Sequence, residues 1–121
     1  DLQSKALGVV FFALGGPGWH KDLSFLSENH ECAWFEAEVA NDGHEYGVGV
    51  TCNQKLLVQD LFLPGNNMEG SIPSEIQYLK ELELLSIRHN GVYGAIPTQL
   101  ARLSSLQYFD VSKNLISGPI P

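Results

Sequence analysis

The sequence predicts an α/β solenoid closed at its N-terminal end by a helical cap. Three observations carry that expectation: a 24-residue period that runs in register three times, a helical apolar pattern over residues 2–14, and an acidic, cysteine-bounded segment between them. Of the residues, 44% are hydrophobic and 17% charged, the composition of an ordinary globular domain rather than of a disordered or membrane-embedded chain. At 121 residues the chain has room for one domain, divided at 1–56 (cap with an acidic insertion) and 57–121 (three repeats, the last incomplete).

The repeat comes first because missing one would mis-assign the whole fold. Leu61, Leu63, Asn66, Met68, Gly70, Ile72 and Pro73 return 24 residues later as Leu85, Ile87, Asn90, Val92, Gly94, Ile96 and Pro97. They return again as Phe109, Val111, Asn114, Ile116, Gly118, Ile120 and Pro121. Leu61 and Leu63 alternate with Asp60 and Phe62, the period of a strand buried on one face. Asn66, Asn90 and Asn114 follow each strand, where a side-chain amide can satisfy the backbone of the turning chain and stack into a ladder. Gly-x-Ile-Pro then bends the chain: glycine opens unusual backbone angles, and proline holds its own φ while extending the residue before it. Ile76, Leu79 and Leu82, repeated as Leu100, Leu103 and Leu106, have the three-residue spacing of a short 3₁₀ or α turn.

This pattern resembles the plant-type leucine-rich-repeat family over residues 57–121, the family of receptor-like kinase and receptor-like protein ectodomains, polygalacturonase inhibitors and related algal repeat proteins. The resemblance implies a right-handed superhelix with a concave parallel sheet, and a second short strand near each Gly-x-Ile-Pro.

Ahead of the repeats, Leu2, Ala6, Leu7, Val10, Phe11 and Leu14 fall on one helical face, and Gly15-Gly16-Pro17-Gly18 ends the helix. Such a helix suits the end of a solenoid, whose first repeat would otherwise expose its core. Cys32-Ala33-Trp34-Phe35 and Gly49-Val50-Thr51-Cys52 resemble the C-x-W-x-G-V-x-C cap of the same family, with residues 36–48 inserted between the two halves. The resemblance implies a Cys32–Cys52 disulfide. That in turn implies an oxidising compartment: extracellular, cell-surface or an organelle lumen.

The formal charge of −7 is concentrated. From Asp22 to Gln54 there is no Lys or Arg, while Asp22, Glu28, Glu31, Glu36, Glu38, Asp42 and Glu45 lie there. An acidic face repels phosphate backbones and argues against a nucleic-acid partner. The segment reads as a solvated, solubilising loop, with a docking surface for a basic partner as the sharper alternative. No apolar run approaches the length of a membrane span, so this segment is not expected to insert into a bilayer.

Signals for catalysis are weak. His30, Cys32, His44 and Cys52 could ligate zinc, but their spacing matches no closed zinc motif. Asp42 and Glu45 around Gly43 lack the alternating acids of a calcium loop. No phosphate-binding, dinucleotide or serine-nucleophile motif occurs, and Asp60 and Asp110 are spaced too widely for a glycosidase pair. The expectation is therefore a non-enzyme with no metal or cofactor. It binds a protein, peptide or glycan through exposed strand positions: Asp60, Phe62, Leu84, Ser86, Arg88, His89, Tyr108, Asp110 and Ser112. Phe62, Leu84 and Tyr108 are apolar where a solvated strand would be polar, and aromatics and arginine are the usual anchors of binding.

The alternative expectation is a structural subunit of a larger assembly. Two features favour it: no Asn-x-Ser/Thr sequon occurs, and Pro121 falls in mid-repeat, an edge to be covered by further repeats or by a partner.

Overall fold

A computed structural model describes residues 1–121. Helix α1 spans Leu2–Ala13, and the Asp1 carboxylate caps it by accepting the Ser4 N–H at 2.7 Å. Ala6, Leu7, Val10, Phe11 and Leu14 are buried, whereas Leu2 is 59% exposed because it lies at the open first turn, beyond the core. Gly15, at φ 70°, ends the helix in the left-handed conformation, and a 3₁₀ turn follows at Gly16–Gly18. The Phe11 ring fills the space where a side chain at Gly16 would lie. Phe11, Trp19, Phe25 and Trp34 continue as a chain of aromatic contacts, with successive ring centroids 4.9, 5.2 and 5.1 Å apart. These rings and the helix form the closed end of the solenoid.

Residues 35–52 form a hairpin. Strand β1 (Phe35–Val39) pairs antiparallel with β2 (Glu45–Cys52), and β2 pairs antiparallel with β3 (Val58–Phe62). From β3 onward the pairing is parallel, to β5 (Leu84–Ser86) and then β7 (Tyr108–Asp110). The five-stranded sheet is therefore mixed, where a parallel sheet was expected. Its first two strands come from the cap, and a short reversal can only join antiparallel neighbours. The inserted segment 36–48 is likewise no loop; most of it is paired strand.

A second, parallel sheet joins β4 (Glu69–Gly70), β6 (Gly91–Gly94) and β8 (Leu115–Ile116), next to each Gly-x-Ile-Pro. Gly70, at φ 114°, has no room for a Cβ because the Ala13 carbonyl lies against it. The Glu69 N–H donates to the Leu14 carbonyl at 3.2 Å, so the end of α1 rests directly on the first repeat. Between the sheets run 3₁₀ turns at Ser74–Tyr78 and Thr98–Arg102. Leu61, Leu63, Met68, Ile72, Ile76, Leu79 and Leu82 are buried, as are Leu85, Ile87, Val92, Ile96, Leu100 and Leu103 one repeat on. Cap and repeats share this one hydrophobic core.

The asparagines form the expected ladder. The Asn90 Oδ1 accepts the N–H groups of Asn66 (2.8 Å) and Met68 (3.0 Å), while its Nδ2 donates to the carbonyls of Leu63 and Ile87. Asn114 repeats the pattern, accepting from Val92 N–H and donating to the Ile87 carbonyl. Asn66 has no earlier repeat to bond, and it bonds the cap instead. Its Oδ1 accepts the Lys21 N–H and its Nδ2 donates to the Lys21 carbonyl, both at 2.8 Å.

Candidate functional site

Register places the expected contact residues in rows across β3, β5 and β7. Asp60, Leu84 and Tyr108 stand side by side, and Phe62, Ser86 and Asp110 form the next row. Backbone bonds from Gly65 N–H to the Arg88 carbonyl and from His89 N–H to the Ser112 carbonyl, both 3.0 Å, continue the ladder, so Arg88 and Ser112 extend the same surface. Asp60 and Asp110 lie in different rows, which separates them along the strands as well as across them.

The rows differ in availability. Tyr108 is 53% exposed, and Arg88, His89 and Ser112 are exposed. Leu84 is half-buried. Phe62 is also half-buried, packed against the core, with the Tyr46 ring edge-on at 6.2 Å between centroids. Ser86 departs from the expectation of exposure: it is 1% exposed, and its hydroxyl has no hydrogen-bond partner. Its short side chain sits in register between the longer Phe62 and Asp110, which stand above it. Ser86 therefore contributes no accessible atom to the surface.

Charges here are partly committed. The Asp110 Oδ1 accepts the Ser112 hydroxyl (2.5 Å) and N–H (2.9 Å). Those two bonds hold its carboxyl below the usual aspartate range, with Arg88 and the Tyr108 hydroxyl acting in the same direction. Asp60 moves the other way: burial pushes its carboxyl up, and the nearby Glu83 adds to the rise. His89 and Lys113 occupy left-handed backbone at φ 61° and 56°, the positions equivalent to Gly65 at φ 53°. The backbone there is set by the stacked turn rather than by residue type.

Several structural residues gave no sequence signal. Gln3 on α1 bonds three partners: its Nε2 donates to the Glu31 carboxylate (2.9 Å) and the Leu56 carbonyl (3.0 Å), and its Oε1 accepts the Val58 N–H (2.8 Å). Glu31 is buried; burial raises its carboxyl's pKa, but the Gln3 bond, a bond to its own backbone and the charge of His30 outweigh this and hold it low. Lys21 pairs with Glu36 (3.8 Å) and with Glu38. Cys32 and Cys52 form a disulfide, with Cα atoms 5.5 Å apart, so neither sulfur is a thiolate ligand for metal. A disulfide of this kind belongs to an oxidising compartment. No helix is long and apolar enough to cross a membrane.

No protein-family model matches the sequence, and no curated protein matches it. Solved structures do. The BIR2 ectodomain from Arabidopsis thaliana is 28% identical, with a TM-score of 0.75 over 98% of this chain and 58% of that one. The PEPR1–AtPEP1 structure matches at 26% identity and a TM-score of 0.74, over 98% of this chain and 15% of that one. A plant ice-binding protein matches at 25% identity and a TM-score of 0.59, over 98% of this chain and 42% of that one. The chain thus spans 58% of the BIR2 ectodomain and smaller shares of the other two. The 24-residue motif, its two sheets and its asparagine ladder agree with these likenesses: the chain shares the solenoid fold of these plant proteins, in keeping with its resemblance to plant-type leucine-rich-repeat proteins.

Proposed function

We propose that the chain is a non-catalytic recognition module that binds an extracellular protein or peptide on the concave face of its β3–β5–β7 sheet. The observation that carries this reading is the exposed Tyr108 beside the half-buried Leu84, with the exposed Arg88 continuing the same surface. An aromatic ring, an aliphatic neighbour and a guanidinium on a rigid sheet are the side chains that most often dominate binding energy. The sheet holds them at fixed spacing, so little conformational entropy is lost on binding. Two neighbours support the reading. BIR2 was solved as an ectodomain, and PEPR1 together with AtPEP1. The disulfide fits an extracellular setting.

The test is an array of secreted proteins and peptides probed with the labelled chain. A ligand found this way should bind saturably, and Tyr108→Ala and Arg88→Ala should each weaken it about tenfold or more. Tyr93→Ala is the control, since Tyr93 is equally exposed but lies on β6 in the other sheet. Equal weakening by Tyr93→Ala, or no saturable ligand, would defeat the proposal.

A further inference from the structure

The outer edge of the cap hairpin is unpaired. Strand β1 ends the five-stranded sheet, with β2 on its only paired side. The Val50 N–H donates to the Trp34 carbonyl (2.9 Å) and the Ala40 N–H to the His44 carbonyl (2.8 Å). In an antiparallel pair, hydrogen-bonded and non-bonded positions alternate. With Phe35 opposite Gly49 and Val39 opposite Glu45, the positions bonded to β2 are Glu36 and Glu38. The N–H and C=O groups of Phe35, Ala37 and Val39 therefore point away from the sheet, at a free edge.

The side chains along this edge divide by the same alternation. Phe35, Ala37 and Val39 share one face and are all exposed, Phe35 by 48% and Val39 by 66%. Beside Phe35 lies an open groove of about 380 Å³, lined also by Gly47, Thr51, Leu56 and the Cys32–Cys52 disulfide. On the other face, Glu36 and Glu38 share a single cation, Lys21. Asp42 and Glu45 follow in the turn and on β2, and neither forms an ion pair. The hairpin thus offers unused backbone donors and acceptors, an apolar stripe and excess negative charge.

The geometry points to a second docking surface: the β1 edge takes an extended, basic peptide segment as an added strand. Main-chain bonds to Phe35, Ala37 and Val39 supply affinity, and the acidic side chains select the charge of the guest. Charge also decides against the simplest other occupant. A second copy of this chain would bring Glu36 and Glu38 against their own counterparts, and like charges across adjacent strands are destabilising. Acidic edges of this kind prevent self-pairing and leave a basic strand favoured.

The probe is a short peptide alternating lysine and valine, added to the disulfide-intact chain while amide hydrogen exchange is followed residue by residue. Binding should slow exchange at Phe35, Ala37 and Val39, and higher salt should weaken it. A peptide N-methylated at alternate amides should not bind, nor should one with glutamate in place of lysine. Ala37→Pro removes an outward N–H that takes no part in the hairpin and should weaken binding about tenfold, whereas Tyr93→Ala, at an exposed position on β6 of the other sheet, should change nothing. Should Ala37→Pro disturb the hairpin, the N-methylated peptide still decides. Three results would each overturn the inference: no protection at the three amides, binding indifferent to N-methylation, or protection of the same amides by self-association without peptide.

Discussion

Asn90 shows how one side chain can serve two repeats at once. It makes five hydrogen bonds, accepting from Asn66 and Met68 and donating to Leu63, Ile87 and Arg88. Truncation to alanine strands several partly buried backbone groups, each costing about 1–3 kcal/mol. Asn90→Ala should therefore lower stability by about 3 kcal/mol or more, read as a shift of the urea midpoint at constant slope. Asn114→Ala should cost less, because the strands beside it are more exposed and water can replace its bonds. Ser86 predicts the opposite sign. Its hydroxyl is buried without a partner, so Ser86→Ala should raise the urea midpoint, by about 1 kcal/mol of stability. A lower midpoint would show that the hydroxyl does find a partner in solution.

The hairpin of β1 and β2 depends on its closing disulfide more than on burial, since most of β1 is exposed. Cys32 and Cys52 are 20 residues apart, and opening a loop of that size costs about 3 kcal/mol in the chain-entropy model. Reduction, or a Cys32→Ala/Cys52→Ala double variant, should lower the thermal midpoint accordingly. Hydrogen exchange should rise first in β1 and β2 and only later in β5, which is held between two strands of its own sheet. Uniform loss of protection would mean that cap and repeats unfold as one unit. That outcome is a real competitor, since α1, Trp34, Val48 and Val50 share the core with the repeats.

One continuous core also links the chemistry of single carboxylates to the stability of the entire chain. Asp60 has its pKa raised on folding by burial and by Glu83, so the native state holds its proton more tightly than the unfolded chain. Stability from this group should fall as pH rises from the ordinary value of 3.8 through the raised one. Glu31 is held low by Gln3, so its contribution is present above its unfolded pKa and is lost as pH falls through the folded value. Asp60→Asn should therefore stabilise the protein near neutral pH, and the gain over wild type should shrink as pH drops toward 3.8. A pH series of urea midpoints for both proteins measures this; a gain independent of pH would sink the explanation.

Much of this architecture was legible in the residues alone. The 24-residue register located the inward-facing leucines of the repeats, the asparagine ladder and the bends, because periodicity in a solenoid is a local property that each repeat restates. The cap helix showed itself in the same way, through spacing. Positions whose environment comes from distant segments were not legible. Gln3 meets Glu31 across 28 residues and Val58 across 55, and no local pattern marks it. The insertion at 36–48 reads as a solvated loop because acids, Asn and Gly dominate it; pairing of β1 with β2, whose far half is anchored on β3, makes most of it sheet. Ser86 looked exposed because alternation gives only direction, while burial depends on how far its neighbours in register extend. Local periodicity is enough to say which residues repeat and which face inward. Which of the outward residues remain open to a partner depends on the folded chain, because exposure is set by what stands beside a side chain across the sheet.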